Sequence, residues 1–309
     1  MAALQVTRAA YALGAQITGI DLRDRLTDAD IAGIRRAVLD NLVVCFPRQE
    51  VDQAALLRLG QAFGEIEPAS KENVDPDAPT VTLLTNKSVD GRAFSGYQSG
   101  QNWHSDHSYT TQPTLYSFLA SKEIPPVGGD TMFANMYAAY ETLSKKMQAI
   151  VDGLDGIHVR ALPPSFRVAT NADRVANNEQ RDSVASAGRR PAAHRVARIH
   201  PETGRTALYL GQRVRRFVGM TEEESRPLIE FLNMHAVRYE FTYRHRWSLG
   251  DVVMWDNRCT MHIAVADYDL QHDARSMLRC SVKGEPSGYE FSGNDDAPVY
   301  KEDPVLAHS

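Results

Sequence analysis

Ten histidines are scattered through this 309-residue chain, and one of them opens the stretch His104-Ser105-Asp106. On an extended strand, residues two apart point to the same face. His104 and Asp106 would then present an imidazole and a carboxylate side by side, two neighbouring corners of a metal site. Iron(II) oxygenases use two histidines and one carboxylate on one face of the metal and leave the opposite positions open. The pair alone is weak: with ten histidines, and aspartate at roughly one position in thirteen, about one His-x-Asp is expected by chance. A third ligand has to come from elsewhere. His262, at the start of a late strand after Trp255-Asp256-Asn257-Arg258, is the candidate, with His107 and His200 as rivals. His107 is one residue away from Asp106, so on a regular strand it faces the wrong way.

Arg275 and Arg279 follow His262 and are four apart, so they share a face of their strand, with Met277 between them. An arbitrary arginine pair is usually solvated. On a face suited to a barrel interior, however, two guanidiniums need anions, because unpaired buried charge is expensive. Their planar forks grip carboxylates through paired hydrogen bonds. Two internal arginines therefore suggest two carboxylate-like groups. Thr131 sits on a strand behind a Gly-Gly turn, where a β-branched residue is ordinary. Its hydroxyl matters only if it points at the same anion as Arg275.

The elements that must position these residues are mostly strands. Thr27-Asp28-Ala29-Asp30 resembles a capping box, and Ile31, Ile34 and Val38 follow at helical spacing, so a helix is predicted to end near Asn41. Leu42 to Phe46 is a short apolar run closed by Pro47, a buried strand. A second helix runs from Asp52 towards Phe63, stopped by Gly64. Val81 to Leu84 reads as a strand, and 86–101 as a Gly-, Ser- and Asn-rich loop leading into a strand that carries His104 and Asp106. Further strands are predicted at 115–120, 130–134, 237–242, 252–255, 261–264 and 276–282, with helices at 136–151 and from the capping box at Thr221 to Ala236. Residues 161–194 lack an apolar period and are rich in Arg, Asn, Ala and Ser; a loop of that length is read as a lid. No repeat or linker cuts the chain, so one domain is expected over 1–309.

Composition narrows the partners. A net charge of −5 gives no reason to expect a polyanion, since nucleic-acid binders usually carry a basic footprint. The three cysteines (Cys45, Cys259 and Cys280) show no Cys-x-x-Cys spacing and read as reduced thiols. There is no basic-then-apolar start and no run long enough to span a bilayer. A cytoplasmic protein with neither nucleic-acid nor membrane partners is expected.

Taken together, the short motifs resemble the taurine dioxygenase and 2,4-D dioxygenase (TauD/TfdA) family of 2-oxoglutarate-dependent oxygenases. The likeness covers most of the chain. It runs through Phe63-Gly64-Glu65, Asn102-Trp103-His104-Ser105-Asp106, Pro125 to Thr131 and Ala138-Ala139-Tyr140. It continues through His200-Pro201-Glu202-Thr203-Gly204 and Trp255-Asp256-Asn257-Arg258 to His262, Arg275 and Arg279. The resemblance implies a mainly β (α+β) fold: a double-stranded β-helix, or jelly-roll, core with flanking helices. It implies Fe(II) held by His104, Asp106 and His262, with Thr131 and Arg275 on the distal carboxylate of 2-oxoglutarate. O2 would be consumed, succinate and CO2 released, and the substrate hydroxylated. Related halogenases carry a small residue where this chain has Asp106, so hydroxylation is expected.

By the same resemblance, Arg279 grips the sulfonate or carboxylate of the prime substrate, and Tyr109 and Asn102 stand beside its pocket. Dimers or tetramers are common among such relatives, so a homo-oligomer is expected. The taurine enzymes carry a histidine soon after Phe-Gly-Glu, whereas this chain has Ile66-Glu67-Pro68-Ala69-Ser70 and no histidine before His104. That departure points from taurine towards a carboxylate such as an aryloxyalkanoate or another small organic acid. Two other readings were open on residues alone. One is a jelly-roll binding protein without turnover. The other is a nucleic-acid demethylase of the same iron chemistry, which the acidic balance disfavours.

Overall fold

A computed structural model describes residues 4–68, 74–75, 78–87, 100–160 and 190–292. Its main sheet has eight strands in the order Gln5–Arg8, Ala15–Thr18, Val43–Phe46, Val252–Asp256, Thr114–Glu123, Ser276–Lys283, Ala78–Thr85 and Val74–Asp75. A second sheet holds Thr242–His245, Thr131–Asn135 and Thr260–Ala264. Its two pairings are antiparallel, as is every pairing of the main sheet but that of Ala15–Thr18 with Val43–Phe46. Four shorter strands (Val214–Phe217, Asp155–His158, Ala192–Arg195 and Tyr289–Glu290) make a third sheet. The protein is mostly β with a few helices, the jelly-roll arrangement expected.

The apolar runs become central strands because both of their faces are covered. Val43 and Cys45 point into one buried cluster with Leu119, Phe133, Val253 and Trp255. Val44 and Phe46, on the other face, join a second with Ile34, Val38, Leu56 and Leu59 from the helices Asp28–Asn41 and Gln53–Gln61. The period of two thus splits one strand between the jelly-roll interior and a helical cover. The first helix starts as its capping box predicts, with Thr27 Oγ1 accepting from Asp30 N–H and Asp30 accepting from Thr27 N–H. Thr221 and Glu224 do the same for Glu222–Ala236. No helix among the described residues is long and apolar enough to cross a membrane.

Three expectations are corrected. The helical pattern at 136–151 is two helices, Met136–Glu141 and Lys145–Val151. Thr142 Oγ1 donates back to Ala138 O at 2.7 Å, and Ser144 Oγ accepts from Met147 N–H at 3.2 Å to start the next helix. Such local side-chain bonds compete with continued helix. The stretch 237–242 is a 3₁₀ turn over Tyr239–Phe241, with the strand beginning only at Thr242. Of the predicted lid, 161–189 lies outside the described residues, and its end is the strand Ala192–Arg195. The third correction concerns the site itself: His104 and Asp106 are not on a regular strand.

Candidate active site

His104 makes a single antiparallel bridge to His262. His262 N–H donates to His104 O at 2.8 Å, and His104 N–H donates to His262 O at 3.1 Å. A turn opens at Asp106, and His107 within it has φ of 51°. Two long-range bonds bend the backbone there: Asp106 N–H donates to Asn257 Oδ1 (3.1 Å) and Ser105 Oγ donates to Thr260 O (2.7 Å). The imidazole and carboxylate therefore meet through a bridge and a turn and not through strand alternation. Asp106 Oδ1 lies 3.7 Å from His104 Nε2 and 3.9 Å from His262 Nε2, and one donor atom from each residue falls within 4.8 Å of the others.

The far side of the carboxylate is held in place. Ser117 Oγ donates to Asp106 Oδ2 at 2.6 Å, Asn257 Nδ2 donates to Ser117 Oγ at 2.9 Å, and Trp255 Nε1 donates to Asn257 Oδ1 at 3.1 Å. His104 Nδ1 is 2.6 Å from Asn102 O, which places the ring proton on Nδ1 and leaves the Nε2 lone pair for a cation. Burial pushes His262 down to about 3, with His104 adding to it and Asp106 opposing. Burial lowers His104 as well. For Asp106 burial works the other way, yet Arg279, both imidazoles and Ser117 hold it well below the usual carboxylate range. Two neutral imidazoles and one ionised carboxylate aimed at one point form a donor set for a dication. The residues fit iron.

A cavity opens beside these three, with Leu84, Leu119, Thr131, Tyr268, Arg275 and Arg279 in its wall. Arg279 Nη2 lies 2.8 Å from Asp106 Oδ1, in an ion pair without hydrogen-bond geometry. Arg275 donates through Nε to Gly129 O at 2.8 Å, and its backbone N–H donates to Asn86 Oδ1 at 2.8 Å. Gly129 has φ of 70°, and a Cβ there would sit 2.8 Å from Pro125 Cγ and 3.3 Å from Arg275 Cδ, so this turn requires glycine. Thr131 Oγ1 accepts from Trp247 Nε1 at 3.1 Å, which leaves the hydroxyl proton to donate elsewhere.

The rival histidines are engaged otherwise. His107 Nδ1 is 2.8 Å from Glu67 Oε2, and Glu67 also accepts from Thr114 Oγ1 at 2.9 Å. His200 Nε2 is 3.1 Å from Asp256 Oδ2. Asn102 contributes its carbonyl to His104. The Tyr109 ring stands 4.8 Å from the Arg213 guanidinium and 5.7 Å from that of Arg160. Neither Asn102 nor Tyr109 is among the residues lining the cavity. Sequence reasoning passed over Ser117 and Trp247. Ser117 did carry a signal: it is a fully buried hydroxyl inside an apolar strand, which demands a partner.

A bipositive-metal donor triad of two histidines and one aspartate, set in a jelly roll beside a basic cavity, is the arrangement of non-haem iron(II) oxygenases. Comparison with known proteins agrees. The model of the taurine catabolism dioxygenase TauD, TfdA family matches residues 5–281, and the chain belongs to that family. It is 33% identical over 276 residues to the alpha-ketoglutarate-dependent 2,4-dichlorophenoxyacetate dioxygenase of Cupriavidus pinatubonensis, covering 86% of this chain and 92% of that one. It is 32% identical over 288 residues to the alpha-ketoglutarate-dependent sulfate ester dioxygenase of Pseudomonas putida, covering 91% and 90%. Among solved structures, AAD-2 in complex with Mn(II) and N-oxalylglycine superposes with a TM-score of 0.74 at 28% identity, covering 92% and 99%. The protein is a 2-oxoglutarate-dependent dioxygenase that uses Fe(II) and O2.

Proposed function

We propose that His104, Asp106 and His262 hold the iron, that Thr131 and Arg275 hold the distal carboxylate of 2-oxoglutarate, and that Arg279 grips the anionic group of the prime substrate. Tyr109 and Asn102 flank that site without lining the cavity, Asn102 through its carbonyl on His104 Nδ1. One observation carries this reading: three distant donors converge within 4.8 Å on a cavity whose wall holds two guanidiniums and a threonine hydroxyl. When bound, iron and 2-oxoglutarate supply the oxidising chemistry that couples decarboxylation, to succinate and CO2, with hydroxylation.

The chain's own residues bind and orient. Ser117 and Asn257 fix the Asp106 carboxylate, and Asn102 O fixes the tautomer of His104. Trp247 occupies a Thr131 lone pair so that the O–H faces an acceptor. Gly129 O holds one edge of Arg275 and so orients the guanidinium. Arg279 keeps hydrogen-bonding capacity at Nη2 beside the metal donors. A substrate anion held there would bring a nearby C–H to the reacting side.

The relatives named above act on an aryloxyacetate and a sulfate ester, both small organic anions. Arg279 favours the same class here, with a carboxylate or a sulfate as the handle, and the enzyme works as a homo-oligomer. The test is succinate release, with iron and 2-oxoglutarate present, over aryloxyalkanoates, sulfate esters, sulfonates and amino-acid derivatives. Turnover is expected with an anionic member and should collapse in Arg279→Ala. A neutral compound outperforming every anion would overturn the substrate assignment.

A further inference from the structure

The indole that holds Thr131 leads to a second group of donors. Trp247 packs edge-on against His245, their ring centroids 4.6 Å apart at 88°. His245 closes the strand Thr242–His245, Cys45 lies within Val43–Phe46, and Asp251 immediately precedes Val252–Asp256. One donor atom from each of Cys45, His245 and Asp251 lies within 4.8 Å of the others. All three residues are nearly inaccessible, at 2%, 4% and 4% exposure. His245 Nε2 is 3.4 Å from Asp251 Oδ2, yet that buried nitrogen has no hydrogen-bond partner. The other ring nitrogen, Nδ1, is 3.1 Å from the Tyr243 hydroxyl, which holds the ring with Nε2 turned inward. Among the described residues, Asp251 accepts hydrogen bonds from the backbone N–H groups of Ser248 at 2.9 Å and Arg48 at 3.3 Å. Among the described residues its one ion-pair partner is His245.

We infer that Cys45, His245 and Asp251 form a second metal site, which takes a zinc-class dication through one thiolate, one imidazole and one carboxylate. Mixed sulfur, nitrogen and oxygen ligands of these three types are those zinc accepts. A third cluster within the same distance, His200, Asp256 and Cys259, shows what such a group looks like when it is closed. There, Arg258 occupies the aspartate through Nε and Nη2, and His200 Nδ1 accepts from the N–H groups of Glu202 and Thr203. Among the described residues no guanidinium pairs with Asp251 of the Cys45 group.

Binding exchanges one bond for another: the dication joins Sγ as the thiol proton leaves to solvent, with no change of oxidation state. Burial, helped by Asp251, raises the Cys45 thiol well above its ordinary value. The thiolate is the form that binds a dication, so uptake releases that proton. The ion would tie the main sheet to the second sheet just behind the Thr131 wall, and it would stabilise the fold by mass action.

Cobalt(II) separates this site from the iron site, because only a sulfur ligand gives a thiolate-to-cobalt charge-transfer band in the near ultraviolet. The full chain, stripped with a chelator and titrated with Co2+, is expected to bind two ions and to develop that band. The band should persist in His104→Ala and Cys259→Ser and disappear in Cys45→Ser, which should still bind one ion. His245→Asn serves as the second variant should Cys45→Ser not fold, and it should weaken the sulfur-bound ion by roughly 100-fold. Absence of the band in the wild-type chain would overturn the assignment. So would its survival in Cys45→Ser, its loss in Cys259→Ser, or an unchanged affinity in His245→Asn.

Discussion

Of the buried histidine–aspartate groups in the described residues, the one around Asp256 is closed and the one around Asp106 is open. In the closed group, Asp256 receives Arg258 Nε, Nη2 and backbone N–H, together with His200 Nε2. Arg258 also reaches Glu202 Oε1 at 2.7 Å, and Glu202 pairs with Arg35 at 2.9 Å. Despite burial, Arg258 and His200 keep Asp256 far below the usual carboxylate range. Around Asp106 the same chemistry stops short. One oxygen is held by Ser117, while the other faces two imidazoles and an arginine that makes no directional bond to it. A charge compensated on every side is architecture; one left with open valences is a site.

The comparison breaks hardest at a ligand. His104→Ala should cut iron-dependent 2-oxoglutarate turnover by about three orders of magnitude or more, roughly 4 kcal/mol in barrier. Full activity in that variant would show that the donor set is wrong. The closed group should fail in another way. Arg258→Leu leaves Asp256 buried without its partner and should cost about 3–5 kcal/mol of stability by urea unfolding. The variant that remains folded should still turn over, and loss of turnover at unchanged stability would place this network in the chemistry. Next come the two arginines of the open cavity. Arg275→Ala should raise the KM for 2-oxoglutarate by roughly 30- to 1000-fold, about 2–4 kcal/mol, with a far smaller effect from Arg279→Ala. The reverse ranking would exchange their roles.

Much of this was legible in order along the chain. The apolar runs at 42–46 and 252–255 read as strands, which the structure has at Val43–Phe46 and Val252–Asp256, and the capping boxes at Thr27 and Thr221 started helices where they should. Arg275 and Arg279 both line one cavity, although Arg275 precedes the strand Ser276–Lys283 that carries Arg279. What periodicity cannot see is a bond to a residue far away. Asn257 and Thr260 bend the backbone at Ser105 and Asp106 into a turn, so the pair read as a strand is none. His107 does point away from the metal donors, but towards Glu67 from a left-handed backbone and not through alternation. His262 is the candidate third ligand from its place in a late strand, with His107 and His200 as rivals by residue type. Trp247, two residues beyond the strand Thr242–His245, reaches Thr131 across 116 positions, and nothing local announces it.

The smallest test concerns protons. His262 is held at about 3 against an ordinary 6.5, chiefly by burial. A lowered folded value means that the unfolded chain takes up a proton the native one refuses, so stability is full above 6.5 and is lost as pH falls towards 3. His104, His158 and His194 are lowered too and add to the same slope. The closed network adds to the slope only at the acid end of this range, because Asp256 and Glu202 are held below their ordinary 3.8 and 4.5. In metal-stripped enzyme, His262→Gln should remove up to about 1.4 kcal/mol per pH unit from the slope between roughly pH 6 and 4. The measurement is the free energy of urea unfolding against pH. A slope unchanged by the substitution would mean that this imidazole is not kept neutral, and the open site would then need a proton expelled before it could take a metal.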